Sequence, residues 1–290
     1  MPTLFTGIFE GLGNTISHLT AKLSTPQTFG LFEEVQGGIL NFKLDKVAIT
    51  GSGAATNAGG LVGTIEAGSV VSYVTVDATI KDVATAGGIA AINYDVVEDC
   101  STQGKIDTGN VNQARAGGLV GFDAHLGTAT GTIGLDYSTV SVTVGKNSYG
   151  GGLVGYDNSS GIGSTYATGS VNGGKGSYVG GLIGYSNQVA NADSYSTGAV
   201  TATAGGVAGG LIGQVGSGSQ TMTDNYWDTT TTGISSASQG AGSPANEPGI
   251  TGLTTTQLQS GLPAGFSPGT WGENPTINGG LPYLIALPPN

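Results

Sequence analysis

The sequence predicts an all-β solenoid: a single-stranded, right-handed parallel β-helix with about 29–30 residues per coil and a non-repetitive C-terminal cap. Three observations carry that prediction. First, one glycine phrase keeps returning: Gly59-Gly60-Leu61-Val62-Gly63, a degraded Gly87-Gly88-Ile89-Ala90-Ala91, Gly117-Gly118-Leu119-Val120-Gly121, Gly151-Gly152-Leu153-Val154-Gly155, Gly180-Gly181-Leu182-Ile183-Gly184 and Gly209-Gly210-Leu211-Ile212-Gly213. With Leu31 in the related Phe29-Gly30-Leu31-Phe32, the apolar centres lie 30, 28, 30, 34, 29 and 29 residues apart. Second, a Tyr-Ser-Thr-Gly-Ala-Val phrase interleaves with it, clearest at Tyr195–Val200 and Tyr166–Val171 and weaker at Tyr73 and Tyr137. Third, the residues between these phrases favour strands: Thr and Val suit extended backbone, whereas Gly in a helix costs about 1 kcal/mol relative to Ala. A β-propeller is the rival architecture, but its blades need about 40 residues or more.

Taken in order, residues 1–28 form an opening coil, with Phe5, Ile8, Phe9, Leu12 and Ile16 set among glycine turns. Residues 29–228 hold the repeats, in which like stacks on like and Leu61, Leu119, Leu153, Leu182 and Leu211 form an interior ladder. Seven to nine coils stacked at about 4.8 Å make a rod of roughly 35–45 Å. Residues 229–290 contain eight of the ten prolines, which prevents further regular coils, yet they keep Leu253, Leu258, Phe266, Trp271 and Leu284. That combination reads as a cap lying on the last coil or folding back along one flank. Strand edges at the uncapped N-terminal end favour end-to-end self-association.

Composition removes several function classes. Eight basic against 19 acidic residues give a net charge of −11, which argues against nucleic acid as a partner. No apolar run of about 18 residues exists to span a bilayer as a helix. The single cysteine, Cys100, rules out an intrachain disulfide. Its Ser-Thr-X-Gly context places it at the position of Tyr166 and Tyr195, as a half-buried wall residue without a histidine to activate it. The start of the chain lacks a basic, apolar leader, so the chain is expected to be a piece of a longer protein rather than intracellular.

The glycine phrases with their interleaved Tyr-Ser-Thr-Gly-Ala-Val resemble the GLUG repeat of filamentous-haemagglutinin-like bacterial surface proteins and of some secreted IgA-protease-like chains. Asn225-Tyr226-Trp227-Asp228, Gly252-Leu253-Thr254-Thr255 and Leu281-Pro282-Tyr283-Leu284 resemble the way such arrays finish. The resemblance implies a secreted or cell-surface location and an adhesive or structural role, and it brings no catalytic residues. The expected function is therefore a non-enzymatic module presenting a rigid face to a glycan or a host or matrix protein. Tyr156, Tyr178 and Tyr185 are its candidate contacts, because sugar faces stack on aromatic rings.

Other constellations support rival chemistries. Polysaccharide lyases and glycoside hydrolases also use β-helices, and glycosidases need two carboxylates about 5–10 Å apart. Asp82, Asp95, Glu98 and Asp99, with Lys105 and Arg115, are the candidate set, in the stretch 77–115 where the glycine phrase degrades. Asp123, Asp157, Asn158 and Asn187 follow the glycine phrase and offer turn oxygens of the type that bind Ca²⁺; the bland alternative is that Asp and Asn bond their own backbone at turns. No other cofactor is expected. Threonines at 75, 79, 139, 143, 201, 203 and 229–232 raise an ice-binding face, although no Thr-X-Thr recurs at one fixed place. His18 and His125 lack zinc-ligand spacing. Gly145-Lys146-Asn147-Ser148 lacks the glycines and the helix of a phosphate loop.

Overall fold

The computed structural model describes residues 4–126, 129–158, 161–187, 190–218 and 221–289. Its strands pair in parallel from coil to coil in one repeating register: Leu4↔Glu34, Phe32↔Val62, Val62↔Ala90, Ala90↔Val120, Val120↔Val154, Val154↔Ile183, Ile183↔Ile212 and Ile212↔Ala241. Each step is one turn of a β-solenoid, giving eight turns and the start of a ninth. The steps reproduce the spacing of the glycine phrases. The 34-residue turn absorbs its surplus in an antiparallel pair, His125↔Thr130 and Leu126↔Ala129, that stands outside the stack.

The glycine phrase forms a corner at which backbones of successive turns pass without room for a side chain. A Cβ on Gly152 would collide with the carbonyl oxygen of Gly181, and one on Gly181 with that of Gly210. The next residue turns inward, so Leu61, Ile89, Leu119, Leu153, Leu182 and Leu211 are fully buried in the core. Burial of such a side chain stabilises by about 1.5–3 kcal/mol, and each copy adds one rung.

A second corner is written differently. Asn41, Tyr73, Asp99, Leu135, Ser164, Asp193 and Asp224 all have φ between 52° and 62°, and Gly249 takes the same place at 78°. Left-handed backbone suits Asn and Asp, whose short polar side chains bond locally. Such conservation of geometry without conservation of residue type hides this corner from a motif search.

Just after it runs an inward polar column: Cys100, Asp136, Thr165, Ser194 and Asn225, each wholly buried. Here the structure corrects the placement of Cys100. Its neighbour Ser101, not Cys100, pairs with Tyr137, which pairs with Tyr166 and then Tyr195. Side chains alternate along a strand, so the one-residue shift turns the thiol inward. The Cys100 amide donates to Asp136 Oδ1 at 2.7 Å and its thiol to the Glu98 carbonyl at 3.2 Å. Burial drives both the thiol and the Asp136 carboxyl well above their ordinary pKa values, opposed at Asp136 by the hydrogen bond from the Cys100 amide.

The stacking runs on past residue 228. Ala241–Ser243 pairs with Ile212–Val215, and Ile250–Leu253 pairs with Asn225–Asp228. Pro244 and Pro248 fall between these strands, so they do not interrupt the ladder. Trp227, fully buried, fills the core end against Gly210 and Gly240, with its indole N–H on the Ile234 carbonyl at 2.9 Å.

Beyond residue 253 the chain reverses. The short helix Thr255–Leu258 starts from a capping box at Thr254 and Gln257, and Thr255 Oγ1 donates to buried Asp228 Oδ2 at 2.6 Å. The tail then lies along one flank over a ladder of tyrosines. Tyr137, Tyr166 and Tyr195 stack with centroids 4.9 and 5.1 Å apart and planes within 7° and 9°, and Tyr226 continues the column. Trp271 packs 6.0 and 5.9 Å from Tyr166 and Tyr195 and stacks on Phe266 at 4.4 Å. Tyr195 Oη donates to the Pro282 carbonyl at 2.5 Å and accepts from Asn278 Nδ2 at 2.8 Å. The tail end, Leu287 to Pro289, reaches Tyr137 and Ser101.

Candidate functional site

The glycine corner sets up a surface feature on the wall opposite the tail. Ser196, next to Tyr195, donates across the interior to the Gly210 carbonyl at 2.7 Å, which places the tyrosine ladder and the glycine corner on facing walls. Two turns carry a tyrosine on each side of the corner: Tyr149 and Tyr156 in one, Tyr178 and Tyr185 in the next. The interior residues between them point inward, and alternation along the flanking strands turns all four tyrosines outward.

Register brings them together across turns. Tyr149 pairs with Tyr178, and Tyr156 with Tyr185. One turn earlier the same two columns hold Arg115 and Phe122. The stacked pairs Tyr156–Tyr185 and Tyr149–Tyr178 have centroids 4.5 and 5.9 Å apart, with interplanar angles of 24° and 16°. Edge contacts tie the columns to each other: Tyr149 lies 5.1 Å from Tyr156 and 5.3 Å from Tyr185, and Phe122 5.5 Å from Tyr156. The Arg115 guanidinium lies over Phe122 at 4.5 Å and Tyr156 at 4.8 Å, a cation–π pairing that fixes a positive charge at one end.

These six side chains are half-buried: each ring presents a face or edge to solvent and packs on its neighbours. Burial raises the phenol pKa of Tyr149 and Tyr156, with Arg115 opposing, so both keep their protons and remain donors at neutral pH. The result is a cluster of rings, stacked along each column and edge-on between the columns, half open to solvent and with a cation at one end. Rings of this kind bind amphipathic ligands through their faces while the hydroxyls take polar contacts.

Of the residues singled out from sequence, Tyr156, Tyr178 and Tyr185 come together here, and Arg115 joins them in a packing role. Tyr149 and Phe122 were not foreseen; the seven-residue spacing of Tyr149–Tyr156 and Tyr178–Tyr185 around the glycine phrase is the signal that marks them.

The acidic candidates disperse. Asp95 Oδ2 accepts from the Ser69 amide at 2.9 Å and from the Gly68 amide, tying one turn to the next. Asp99 occupies the left-handed corner, where burial raises its carboxyl pKa and a hydrogen bond from Tyr73 opposes the rise. Glu98 lies beside it, while Asp82 sits at a different left-handed corner and borders a shallow groove with Asn110 and Asn112. Lys105 pairs with Asp107 at 3.5 Å. None of the described grooves is lined by two carboxylates.

The calcium candidates split between two faces. Asp123 and Asp157 point inward in one buried column, where Asn93 Nδ2 donates to Asp123 Oδ1 at 2.7 Å. Asn158 and Asn187 follow on the outward side, bonded to each other at 2.8 Å. Alternation along a strand prevents the four from converging on one ion. Among the described residues, no group of three or more His, Cys, Asp or Glu is placed to hold a metal. The threonine columns are likewise broken: Thr75 is followed by Ser101 and Tyr137, Thr79 by Lys105 and Ser141, and Thr143 by Asn172 before Thr201.

No helix among the described residues is long and apolar enough to cross a membrane. No family model and no curated protein matches the chain. Among solved structures, the chain is similar to a Bacteroides ovatus protein described as a "putative immunoglobulin A1 protease", with a TM-score of 0.61 at 17% identity over 96% of this chain and 77% of that one. At that identity the likeness concerns the fold.

Proposed function

We propose that this β-solenoid is a non-enzymatic adhesion module of a secreted or cell-surface protein, of the GLUG-repeat type, whose ligand is a glycan. The observation that carries the reading is the open platform of Tyr149, Tyr156, Tyr178 and Tyr185, which is held rigid by parallel pairing in two consecutive turns. A rigid scaffold lowers the ordering cost of binding. Four rings in two rows, at the strand-to-strand spacing of about 4.8 Å, suit an extended ligand that repeats its apolar faces. The second reading, a carbohydrate-active or proteolytic enzyme, draws on the description of the Bacteroides ovatus neighbour and on the catalytic β-helices.

The test is a glycan array incubated with the chain and read both for retention and for released products. Retention without turnover, lost in the Tyr156→Ala/Tyr185→Ala double variant, is the expected result. Product release abolished by Glu98→Gln or Asp99→Asn overturns the reading in favour of an enzyme. Retention that survives the double variant removes the platform from the account.

A further inference from the structure

The ligand class can be read from charge around the platform. The chain as a whole carries −11, yet beside the platform the exposed charges are basic, because the carboxylates of these turns are buried or lie on another flank. Between residues 115 and 203 the basic residues are Arg115, Lys146 and Lys175, and the carboxylates are Asp123, Asp136, Asp157 and Asp193. Asp123, Asp136 and Asp157 are wholly buried. Asp193 lies at the corner beside Tyr195, on the flank the tail covers. Ion pairs among the described residues are Lys43–Asp45 and Lys105–Asp107, so Arg115, Lys146 and Lys175 have no carboxylate partner.

Lys146 and Lys175 hold the same place in consecutive turns, each three residues before a platform tyrosine, in Lys146-Asn147-Ser148-Tyr149 and Lys175-Gly176-Ser177-Tyr178. Both are exposed, and together they line a groove of about 440 Å³ with Gly109, Asn110 and Thr203. The turns under them are fixed: the Asn147 amide donates to the Lys175 carbonyl at 2.9 Å, and Asn147 Nδ2 to Asn112 Oδ1 at 2.9 Å. At about 3.3 Å per residue, the lysine groove lies within roughly 10 Å of the first tyrosine row. That distance is one or two sugar rings.

We infer that the platform and the Lys146/Lys175 groove form one extended site for an acidic glycan, a chain bearing carboxylate or sulfate groups. Its rings lie on Tyr149, Tyr156, Tyr178 and Tyr185, and its anionic groups face Lys146 and Lys175 on one side and Arg115 at the end. The inference rests on the glycan reading and adds the charge of the ligand. A neutral glycan would leave two unpaired lysines beside the site unused. A nucleic acid is disfavoured by the net charge, which repels a long polyanion along the rest of the rod; a short acidic saccharide spans only Arg115, Lys146, Lys175 and the rings, with the Asp82 carboxylate behind Gly109 on the groove's far wall.

The test uses the full chain and matched probes: oligogalacturonate and its methyl-esterified, uncharged form, then dextran sulfate and dextran, with polyglutamate as a non-sugar anion. The expected result is binding to at least one acidic saccharide at least tenfold tighter than to its neutral partner, weakened by salt, and reduced to the neutral level in Lys146→Ala/Lys175→Ala. Oligogalacturonate and dextran sulfate separate carboxylate from sulfate recognition. Equal affinity for acidic and neutral partners, or binding unchanged in the lysine variant, overturns the inference while leaving the glycan reading standing. Polyglutamate binding as tightly as any saccharide, independent of Tyr156→Ala, also overturns it, because the patch is then a plain cation cluster. Binding to no saccharide defeats the glycan reading itself and the inference with it.

Discussion

Coils five to seven write tyrosine into two kinds of column, and the two meet opposite fates. Tyr137, Tyr166 and Tyr195 stack at 4.9 and 5.1 Å under Trp271 and Phe266, and Tyr166 and Tyr195 are wholly buried. Tyr149, Tyr156, Tyr178 and Tyr185 stack at 4.5 and 5.9 Å on the facing wall and keep solvent on one side. Stacking therefore says nothing about role in a solenoid: any residue repeated in register will stack on its copy. What separates a strut from a site is the cover. The C-terminal tail spends its aromatic residues on one ladder and leaves the other bare.

That contrast can be broken most forcefully at the cover. Trp271→Ala is expected to cost about 3–5 kcal/mol, the usual loss for a large buried aromatic, whereas Tyr185→Ala on the open wall costs less than half as much; thermal midpoints compare them directly. Alkaline pH is expected to come next. Burial pushes the Tyr166 and Tyr195 phenols far above their ordinary range, so their contribution is intact below the unfolded-state value near pH 10 and is lost as pH rises beyond it. Each then removes about 1.4 kcal/mol per pH unit, which a denaturant series at pH 9, 10 and 11 resolves; a flat response would mean the ladder is open.

Between the two walls, Gly181→Ala drives a methyl into the Gly210 carbonyl and the Ser196 side chain. Overpacking of this kind costs about 1–3 kcal/mol, and it is expected to lower stability and disturb the spacing of the Tyr178 and Tyr185 rows together. The smallest effect sharpens the comparison at a single atom. Tyr195→Phe removes the hydroxyl's bonds to the Pro282 carbonyl and the Asn278 amide, which still bond each other at 2.8 Å, and costs about 1 kcal/mol, while Tyr185→Phe leaves the unfolding midpoint unchanged. Equal losses from the two substitutions would erase the distinction between the ladders.

The coil number and register were legible because the Gly-Gly-Leu-Val-Gly corner admits so few residues: its glycines touch backbone, and its leucine fills the core. The ninth turn was not, because Gly240 stands where each earlier copy has Leu or Ile, and Trp227 fills the space that such a side chain would have taken. The left-handed corner accepts Asn, Asp, Tyr, Ser and Leu alike, so no motif betrays it. Cys100 was displaced by one residue, since a repeat fragment aligned on Ser-Thr-X-Gly determines a face only when every position is counted. Tyr156, Tyr178 and Tyr185 were legible as tyrosines of the repeat, but the platform was not: Arg115, Phe122 and Tyr149 reach it through pairing between turns, and only the tail's path decides which ladder stays uncovered. Asp82, Asp95 and Glu98 were expected to share a flank because adjacent coils stack, but stacking aligns only residues at the same point of the coil, and these three stand at different points.

Tyrosine accessibility tests the division of the two ladders most directly. Nitration of the native chain under mild conditions, mapped by peptide mass spectrometry, is predicted to modify Tyr149, Tyr156, Tyr178 and Tyr185 while Tyr166 and Tyr195 stay unmodified, and to reach Tyr166 and Tyr195 once Trp271→Ala loosens the tail. Equal modification of both ladders in the native chain, or protection of Tyr156 and Tyr185 with labelling of Tyr166, would contradict the account.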